Sequence, residues 1–243
     1  MSIRHELPRL GTRKLYSLLS EDFKERDLKI GRDGLFALLR RESLLVPRRR
    51  KYVKTTDSRH WMRQYPNLVK GVPVERPEQV WVADITYLSV GQENGYLHLV
   101  TDAYSKKIVG YKVSHNLGVS NTVQALKMAL GSRIYAGKLI HHSDRGLQYC
   151  SKEYTGLLKA HEVGISMTQD GNPYDNAIAE RVNGILKQEF GLDEDLEDFK
   201  QAENQVAESI RFYNHRRPHL SNRFLTPEQM HQQSDIKPKT WHK

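Results

Sequence analysis

Three acidic residues occupy positions where a carboxylate can do chemistry. Asp84 lies within residues 79–90, which are rich in Val, Ile, Thr, Tyr and Trp and are predicted to form a strand. An ionised carboxylate there costs several kcal/mol unless another group compensates its charge. Asp144 directly follows a short predicted strand, and open α/β sheets bind ligands at the carboxyl ends of their strands. Glu180 falls one turn into a predicted helix.

Together these residue types suit metal-dependent phosphoryl transfer. Converging carboxylates repel one another, and a divalent cation removes that repulsion. Oxygen ligands favour Mg²⁺ or Mn²⁺, and two ions about 4 Å apart can activate a water or a 3′-hydroxyl and stabilise the leaving oxygen of a phosphodiester. We therefore predict that Asp84, Asp144 and Glu180 are catalytic residues and ligands of two Mg²⁺ ions, for which Mn²⁺ would substitute. Each acid also has a non-catalytic interpretation: a buried ion pair for Asp84, a turn or helix cap for Asp144, and an exposed helix face for Glu180.

Polar side chains near these acids are predicted to contact DNA. Asn176, Glu180, Asn183 and Lys187 are spaced i, i+4, i+7 and i+11, so they share one face of the helix. The loop before this helix and the exit of the strand before Asp144 add further candidates. The predicted contacts in this region are Asn172, Tyr174, Asn176, Asn183 and Lys187, together with Arg145, Gln148 and Tyr149.

The elements that position these residues follow the order of an α/β domain. Residues 79–90, 96–101 and 108–114 are predicted strands joined by short turns, which form an antiparallel meander. The pattern then continues as helix, strand, helix, strand and helix, at residues 120–130, 138–142, 151–161, 164–168 and 175–189. The expected product is a mixed five-stranded sheet with helices on both faces, in the strand order of the ribonuclease H fold. Ser120, Ser151 and Asp175 are the expected helix caps.

Residues 1–50 are predicted to form two short amphipathic helices before this domain. The first has an apolar stripe at i, i+3, i+4 and i+8, and the second follows Gly31, with Asp33 as its potential cap. Two such helices with a tight join favour a helix-turn-helix in which Arg32 would contact DNA. The alternative is a helical hairpin that only packs on the core.

The remaining chain divides into a linker, the core and a C-terminal part. Prolines keep residues 51–78 extended, and Arg48, Arg49 and Arg50 of the basic run before them are predicted to bind phosphate. The catalytic core is assigned to residues 79–192. The C-terminal part, residues 193–243, is predicted to contain a helix from about residue 195 to 214, followed by a tail. Near the end of that helix a basic cluster fits either phosphate binding or an exposed helix terminus. The cluster is Arg211, His215, Arg216 and Arg217.

Composition favours a nucleic-acid partner and a reducing compartment. The chain has 38 Lys and Arg against 29 Asp and Glu, which gives a formal charge of +9. Its single cysteine excludes an intramolecular disulfide and makes a thiolate zinc site unfavourable. The sequence has neither an apolar run long enough to cross a bilayer nor the apolar stretch of a signal peptide. A cytoplasmic protein without a membrane partner is the expectation.

Several local sequences resemble the second-frame transposases of bacterial insertion sequences of the IS3 group. They are WVADITY at residues 81–87, HSDRGLQY at 142–149, SMTQDGNPYDNAIAERVNGILKQE at 166–189, YNHRRP at 213–218 and LTPE at 225–228. The 35 residues between Asp144 and Glu180 also match the spacing familiar from retroviral integrases. The resemblance covers roughly residues 10–230.

The resemblance implies an integrase core whose triad is Asp84, Asp144 and Glu180, preceded by a helix-turn-helix. Such a transposase nicks an element end to free a 3′-hydroxyl and joins that end to DNA without a covalent protein–DNA intermediate. Its partners would be the terminal inverted repeats, target DNA, further copies of the chain, and a first-frame protein or fusion. Lys187, seven residues after Glu180, stands where related integrases place a basic residue that touches the DNA end.

Other interpretations remain open on the sequence alone. A DNA-binding remnant without catalysis would keep the fold, and a plain ribonuclease-H-type nuclease would share the metal site without joining strands. Asp102, at a predicted turn, is the rival of Asp84 as a ligand. His141, His142 and Asp144 suggest a transition-metal site, but the adjacent histidines of a strand point to opposite faces.

Overall fold

The computed structural model describes residues 2–46, 64–169 and 176–238. Its helices are α1 Ser2–Glu6, α2 Thr12–Glu25, α3 Arg32–Arg41, α4 Val119–Gly131, α5 Leu147–Cys150, α6 Lys152–Ala160, α7 Ala177–Phe190, α8 Phe199–His215 and α9 Pro227–His231. Its strands are β1 Val80–Val90, β2 Glu93–Asp102, β3 Ile108–Ser114, β4 Ile140–Ser143, β5 Gly164–Met167 and β6 Asp195–Leu196. None of the helices in this part of the chain is both long and apolar enough to cross a membrane.

The sheet is mixed and has the strand order β3-β2-β1-β4-β5. β1, β2 and β3 form the predicted antiparallel meander, while β4 and β5 are parallel to β1. The expectation of five strands was short by one, because β6 adds a two-residue parallel pairing to the end of β1. β1 therefore lies at the centre of the sheet and carries Asp84 there.

The β1–β2 hairpin is tighter than predicted. Val90 pairs with Glu93, so only Gly91 and Gln92 form the turn, whereas residues 91–95 were expected to be outside the strands. Gly91 has a φ of +57°, a conformation that glycine adopts without the steric penalty of a Cβ. The short turn fixes the register of the two strands.

Each face of the sheet is covered by helices. One face packs against α4 and α6 around Trp81, and α4 lies so close to β3 that a Cβ on Gly110 would meet the Ala125 carbonyl oxygen at 2.2 Å. The other face packs against α7 and α8 in a core that includes Leu88, Leu97 and Leu186. This α7 side of the sheet is also the side of Asp84, because β1 residues alternate between faces.

Helix starts differ from the predictions in several places. Ser151 caps α6 as expected and accepts a bond from the Tyr154 N–H. Ser120 lies inside α4 rather than at its cap, and α7 begins after Asn176 rather than after residue 175. α8 starts at Phe199, four residues later than expected, because residues 195–196 pair with β1 and Asp198 then supplies the cap.

The N-terminal helices α2 and α3 are present and pack against the core. Leu15 and Leu39 belong to the same apolar cluster as α7 and α8 residues such as Ile185. Gly31 precedes α3, and Asp33 pairs with Arg32 instead of capping the helix. Packing on the core fits the hairpin alternative, while the helix-turn-helix interpretation stays a prediction.

Candidate active site

Asp84 and Asp144 are brought together by the pairing of β1 with β4. Val80, Trp81 and Val82 pair in parallel with Ile140, His141 and His142. The same register continued by two residues sets Asp144, just past the end of β4, opposite Asp84. Both side chains are partly exposed at this edge of the sheet.

Glu180 joins this region through helix α7. Asn183, one turn after Glu180, donates a hydrogen bond from its Nδ2 to Oδ2 of Asp84 at 2.8 Å. At the start of the helix, Asn176 donates to the carbonyl oxygen of Ala83 at 3.1 Å. Residues three apart lie side by side on a helix, so the Asn183 contact holds the turn that carries Glu180 against Asp84.

The electrostatics of Asp84 reflect this crowding. Burial is the largest cause that raises the pKa of its carboxyl, and the charges of Asp144 and Glu180 add to it. The Asn183 hydrogen bond opposes them, and together these effects place the pKa at about 7. The same negative field reaches the buried Tyr149, whose pKa is raised by burial and additionally by Asp144 and Asp84. The charges of Asp144 and Glu180 therefore both act on the Asp84 carboxyl.

The three carboxylates are neighbours but do not form a closed ligand cage. In the described residues, no group of three His, Cys, Asp or Glu side chains is arranged to hold a metal ion. Glu180 is exposed to solvent in the first turn of α7.

The predicted DNA contacts divide by their burial. Lys187 is half-buried, and its pKa is lowered by burial while Asp193 and Asp84 oppose that shift. Arg145 donates to the Thr168 carbonyl and Gln148 to the Leu117 carbonyl, and both remain partly accessible. Arg32 is exposed on α3. Five predicted contacts lie outside the described residues: Arg48, Arg49, Arg50, Asn172 and Tyr174.

Two predicted contacts, Asn176 and Asn183, are each only 6% exposed. Both use their amide groups inside the protein, on Ala83 and Asp84. Their burial argues for a role beneath the site rather than on its DNA-facing surface. The sequence analysis did not predict the hydrogen bond from Asn183 to Asp84. The position of Asn183 three residues after Glu180, on the same face of the helix, could have indicated that it approaches the acids.

Two further sequence interpretations need correction. Tyr149 is 3% exposed and is therefore not a surface contact for DNA. Arg217 is 1% exposed and holds Glu189 through two hydrogen bonds, so it does not bind phosphate. The other three members of its basic cluster, Arg211, His215 and Arg216, are exposed.

The rival ligand Asp102 has a structural role. It is completely buried and accepts hydrogen bonds from the Glu78 N–H, the Ser105 N–H and the Ser105 hydroxyl. His231 of α9 lies 3.7 Å from Asp102 and 3.5 Å from Glu78, and so ties the C-terminal segment to the core.

His141 and His142 also have partners inside the protein. His141 is hydrogen-bonded to the Tyr154 hydroxyl at 2.9 Å and His142 to the Ser166 hydroxyl at 2.8 Å. Burial lowers the pKa of His141 to about 3, so it is neutral at physiological pH. These contacts give both side chains a packing role in the sheet.

Comparison with known proteins agrees with this geometry. Two models described as "Integrase core domain" match residues 74–173 and 161–227. The chain is 37% identical over 213 residues to the insertion element IS600 uncharacterized 31 kDa protein of Shigella sonnei, covering 86% of this chain and 76% of that protein. It is 34% identical to the transposase for IS629 of the same organism, covering 85% and 68%. The chain belongs to the IS3-group transposases.

Further relatives of the transposase include InsF of the insertion sequence IS3A from Escherichia coli K12. It is 33% identical over 172 residues, covering 70% of the transposase and 60% of InsF. The integrase core makes the transposase a polynucleotidyl transferase that acts in DNA transposition and integration.

Solved structures share the fold of the transposase at low identity. The HTLV-2 integrase catalytic core, solved with magnesium, is 17% identical with a TM-score of 0.51, covering 64% of the transposase and 97% of that core. A chain of the simian T-cell lymphotropic virus intasome is 17% identical with a TM-score of 0.57, covering 96% and 78%. These likenesses support the ribonuclease-H-like architecture.

Proposed function

We propose that the transposase cleaves the ends of its insertion element and joins each freed 3′-hydroxyl to DNA, with Asp84, Asp144 and Glu180 as catalytic residues. The observation that carries the proposal is the hydrogen bond from Asn183 to Asp84. It joins the helix turn of Glu180 to the strand residue that β4 sets opposite Asp144. Together the two contacts support the convergence of three acids that are distant in sequence.

The donor set fits a pair of divalent cations. Carboxylate oxygens are hard ligands that suit Mg²⁺ and Mn²⁺. Burial, and then the charge of Asp144, raise the pKa of Asp84, and a bound cation would favour its ionised form against both. In addition, the amide oxygens of Asn176 and Asn183 are buried beside the site without a hydrogen-bond partner among the described residues. When bound, two such ions would activate the attacking oxygen and stabilise the leaving oxygen of the phosphodiester.

The residues of the chain have separate tasks in this scheme. Asp84, Asp144 and Glu180 would hold the cations, for which Asp84 must lose the proton that its raised pKa favours near neutral pH. Asn183 would fix one oxygen of Asp84 and leave the other for ligation. Lys187, half-buried two turns after Glu180, would bind a phosphate of the element end.

The partners follow from charge and from the relatives. The net charge of +9 favours DNA, and the exposed Arg32 and Arg40 of α3 offer phosphate contacts beside the core. The HTLV-2 integrase core was solved in trimeric and dimeric forms, and the simian T-cell lymphotropic virus chain as part of an intasome. We infer that the transposase likewise acts as an oligomer on the inverted repeats and target DNA.

A strand-transfer assay with labelled element ends tests this function. We expect joined products with Mg²⁺ or Mn²⁺ and none with EDTA. Glu180→Gln should lower the joining rate about a thousandfold, because a ligand worth roughly 4 kcal/mol of transition-state stabilisation is lost.

Glu153→Gln, which changes an exposed acid at the start of α6, is the matched control and should join at the wild-type rate. DNA binding without cleavage under every metal would identify a non-catalytic remnant and overturn the proposal. Cleavage without joining would identify a nuclease and overturn it as well.

A further inference from the structure

Helix α7 connects the proposed active site to the N-terminal helices. Glu180 stands at its beginning, and Glu189 stands nine residues later near its end. At 1.5 Å per residue these positions are about 14 Å apart along one rigid helix. A contact that sets the position of the Glu189 end therefore also sets the direction in which the first turn presents Glu180.

The Glu189 end of α7 is held by two cations from different parts of the chain. Arg217, which follows α8, donates to both carboxylate oxygens at 2.7 and 2.8 Å. Lys14 of α2 donates to Oε1 at 2.8 Å. The three side chains are only 1%, 11% and 17% exposed for Arg217, Lys14 and Glu189, so water screens these contacts weakly.

Backbone and apolar contacts seat the same N-terminal segment against α7. The Arg9 N–H donates to the Glu189 carbonyl at 3.2 Å, and the Arg9 side chain pairs with Asp193 and Glu194 just after the helix. Leu15, one residue after Lys14, lies in the apolar cluster that contains Leu186 and Phe190. Lys14 is thus the charged contact of an extended interface between α2 and the catalytic helix.

We propose that Lys14 and Glu189 are positioning residues, through which the N-terminal helices align α7 and thereby orient Glu180 for catalysis. The proposal rests on the proposed role of Glu180. In this scheme, activity depends on how the N-terminal segment packs against α7. Binding of DNA to that segment would therefore change the orientation of Glu180 through α7. A displacement of about 1 Å at a catalytic group can lower a rate a hundredfold, so a modest tilt of α7 is sufficient.

A substitution of Lys14 can test positioning separately from stability, because Glu189 keeps a second cationic partner. Lys14 and Arg217 are both cations against one carboxylate, and Arg181 of α7 adds a further positive charge. Lys14→Met leaves Glu189 and Arg217 as a neutral, bidentate pair and removes the repulsion between Lys14 and Arg217. We therefore expect the variant to fold with a melting temperature close to that of the wild type.

The first readout is hydrogen exchange of the metal-free full chain, which is independent of activity. In Lys14→Met the amides of the first turns of α7 should exchange at least fivefold faster than in the wild type, while those of α4 are unchanged. Lys24→Met, which changes an exposed lysine of the same helix α2, is the control and should leave α7 unchanged. Unaltered exchange throughout α7 in Lys14→Met would overturn the proposal.

The second readout is the single-turnover rate of strand transfer with saturating DNA. Lys14→Met should lower this rate about tenfold with DNA affinity unchanged, and Lys14→Arg should restore it. A wild-type rate in Lys14→Met would overturn the positioning role of Lys14 without contradicting the proposed function. If the wild type shows no metal-dependent joining, the proposed function is wrong. The exchange experiment would then still test whether Lys14 aligns α7.

The pH profile gives a signature that a structural role would not produce. Burial, with help from Arg217, lowers the pKa of Lys14 to about 8, and the facing groups are Glu189, Arg217, Arg181 and His219. The wild-type rate should fall as the pH rises through 8, because Lys14 loses its proton and its attraction to Glu189. In Lys14→Arg the fall should move to higher pH. A fall that stays at pH 8 would belong to other lysines, such as Lys106, and would contradict the proposal.

Discussion

Asp84→Asn is expected to abolish strand transfer and, at the same time, to raise the melting temperature of the metal-free transposase. Activity should fall about a thousandfold or more, because the amide cannot replace a carboxylate as the central ligand. Stability should rise because the folded protein holds an Asp84 carboxyl whose pKa is raised to about 7 by burial and by its acidic neighbours. An asparagine keeps the size of the side chain and carries no charge to repel.

The sign of the stability effect follows from the two pKa values of Asp84. The group ionises near 3.8 in the unfolded chain and near 7 in the folded one, so stability is lost as the pH rises between these values. Because Asp84 is partly exposed, we expect a gain on the order of 1 kcal/mol for the variant at pH 8, which is about 2–4 °C. The gain should shrink at pH 5.

Asp102→Asn is the informative contrast to Asp84→Asn. Asp102 is satisfied by three donors in the core, so its loss should lower the melting temperature without removing metal-dependent joining below that temperature. Both quantities are measured by thermal unfolding in EDTA and by strand transfer in Mg²⁺. Loss of stability in Asp84→Asn together with retained joining would show that Asp84 is a structural carboxylate.

Arg217→Ala is expected to destabilise the folded transposase strongly. Its guanidinium is 1% exposed, and its removal would leave the Glu189 carboxylate buried beside Lys14 alone. Breaking one partner of a buried pair costs about 3–5 kcal/mol, which corresponds to a fall of roughly 10 °C in melting temperature. Thermal or urea unfolding of the metal-free protein measures this change.

The neighbouring Arg216 provides the matched control. Its side chain is 60% exposed and pairs with Glu6 at 2.7 Å on the surface. Arg216→Ala should therefore change the free energy of unfolding by less than about 1 kcal/mol. Equal effects of the two substitutions would show that the Arg217–Glu189 pair does not hold α7 in the way described.

The sequence predicts those parts of the fold that depend on local pattern. The strands of the meander follow from β-branched and aromatic residues, and Ser151 is readable as a cap because its side chain bonds within its own turn. Asp84 is conspicuous because an acid inside an apolar strand has few local explanations. The five-strand expectation failed only at β6, whose two residues have no pattern of their own and pair with β1 from a distance of over a hundred residues.

Long-range pairing accounts for the remaining differences. Arg217 follows other cationic residues at a helix end, and nothing local distinguishes it from the exposed Arg216. Its burial depends on Glu189, which is 28 residues away in sequence. Similarly, Asp102 has the local context of a turn, while His231, which approaches it within the core, lies in the C-terminal segment.

The central claim is that Asp84, Asp144 and Glu180 converge on divalent cations, and its most direct test is anomalous diffraction from crystals of the full chain bound to element-end DNA in Mn²⁺. The account predicts one or two manganese peaks between Asp84 and Asp144, with a Glu180 oxygen within about 2.2 Å of one of them. Manganese bound elsewhere, with Glu180 turned away from both aspartates, would contradict it.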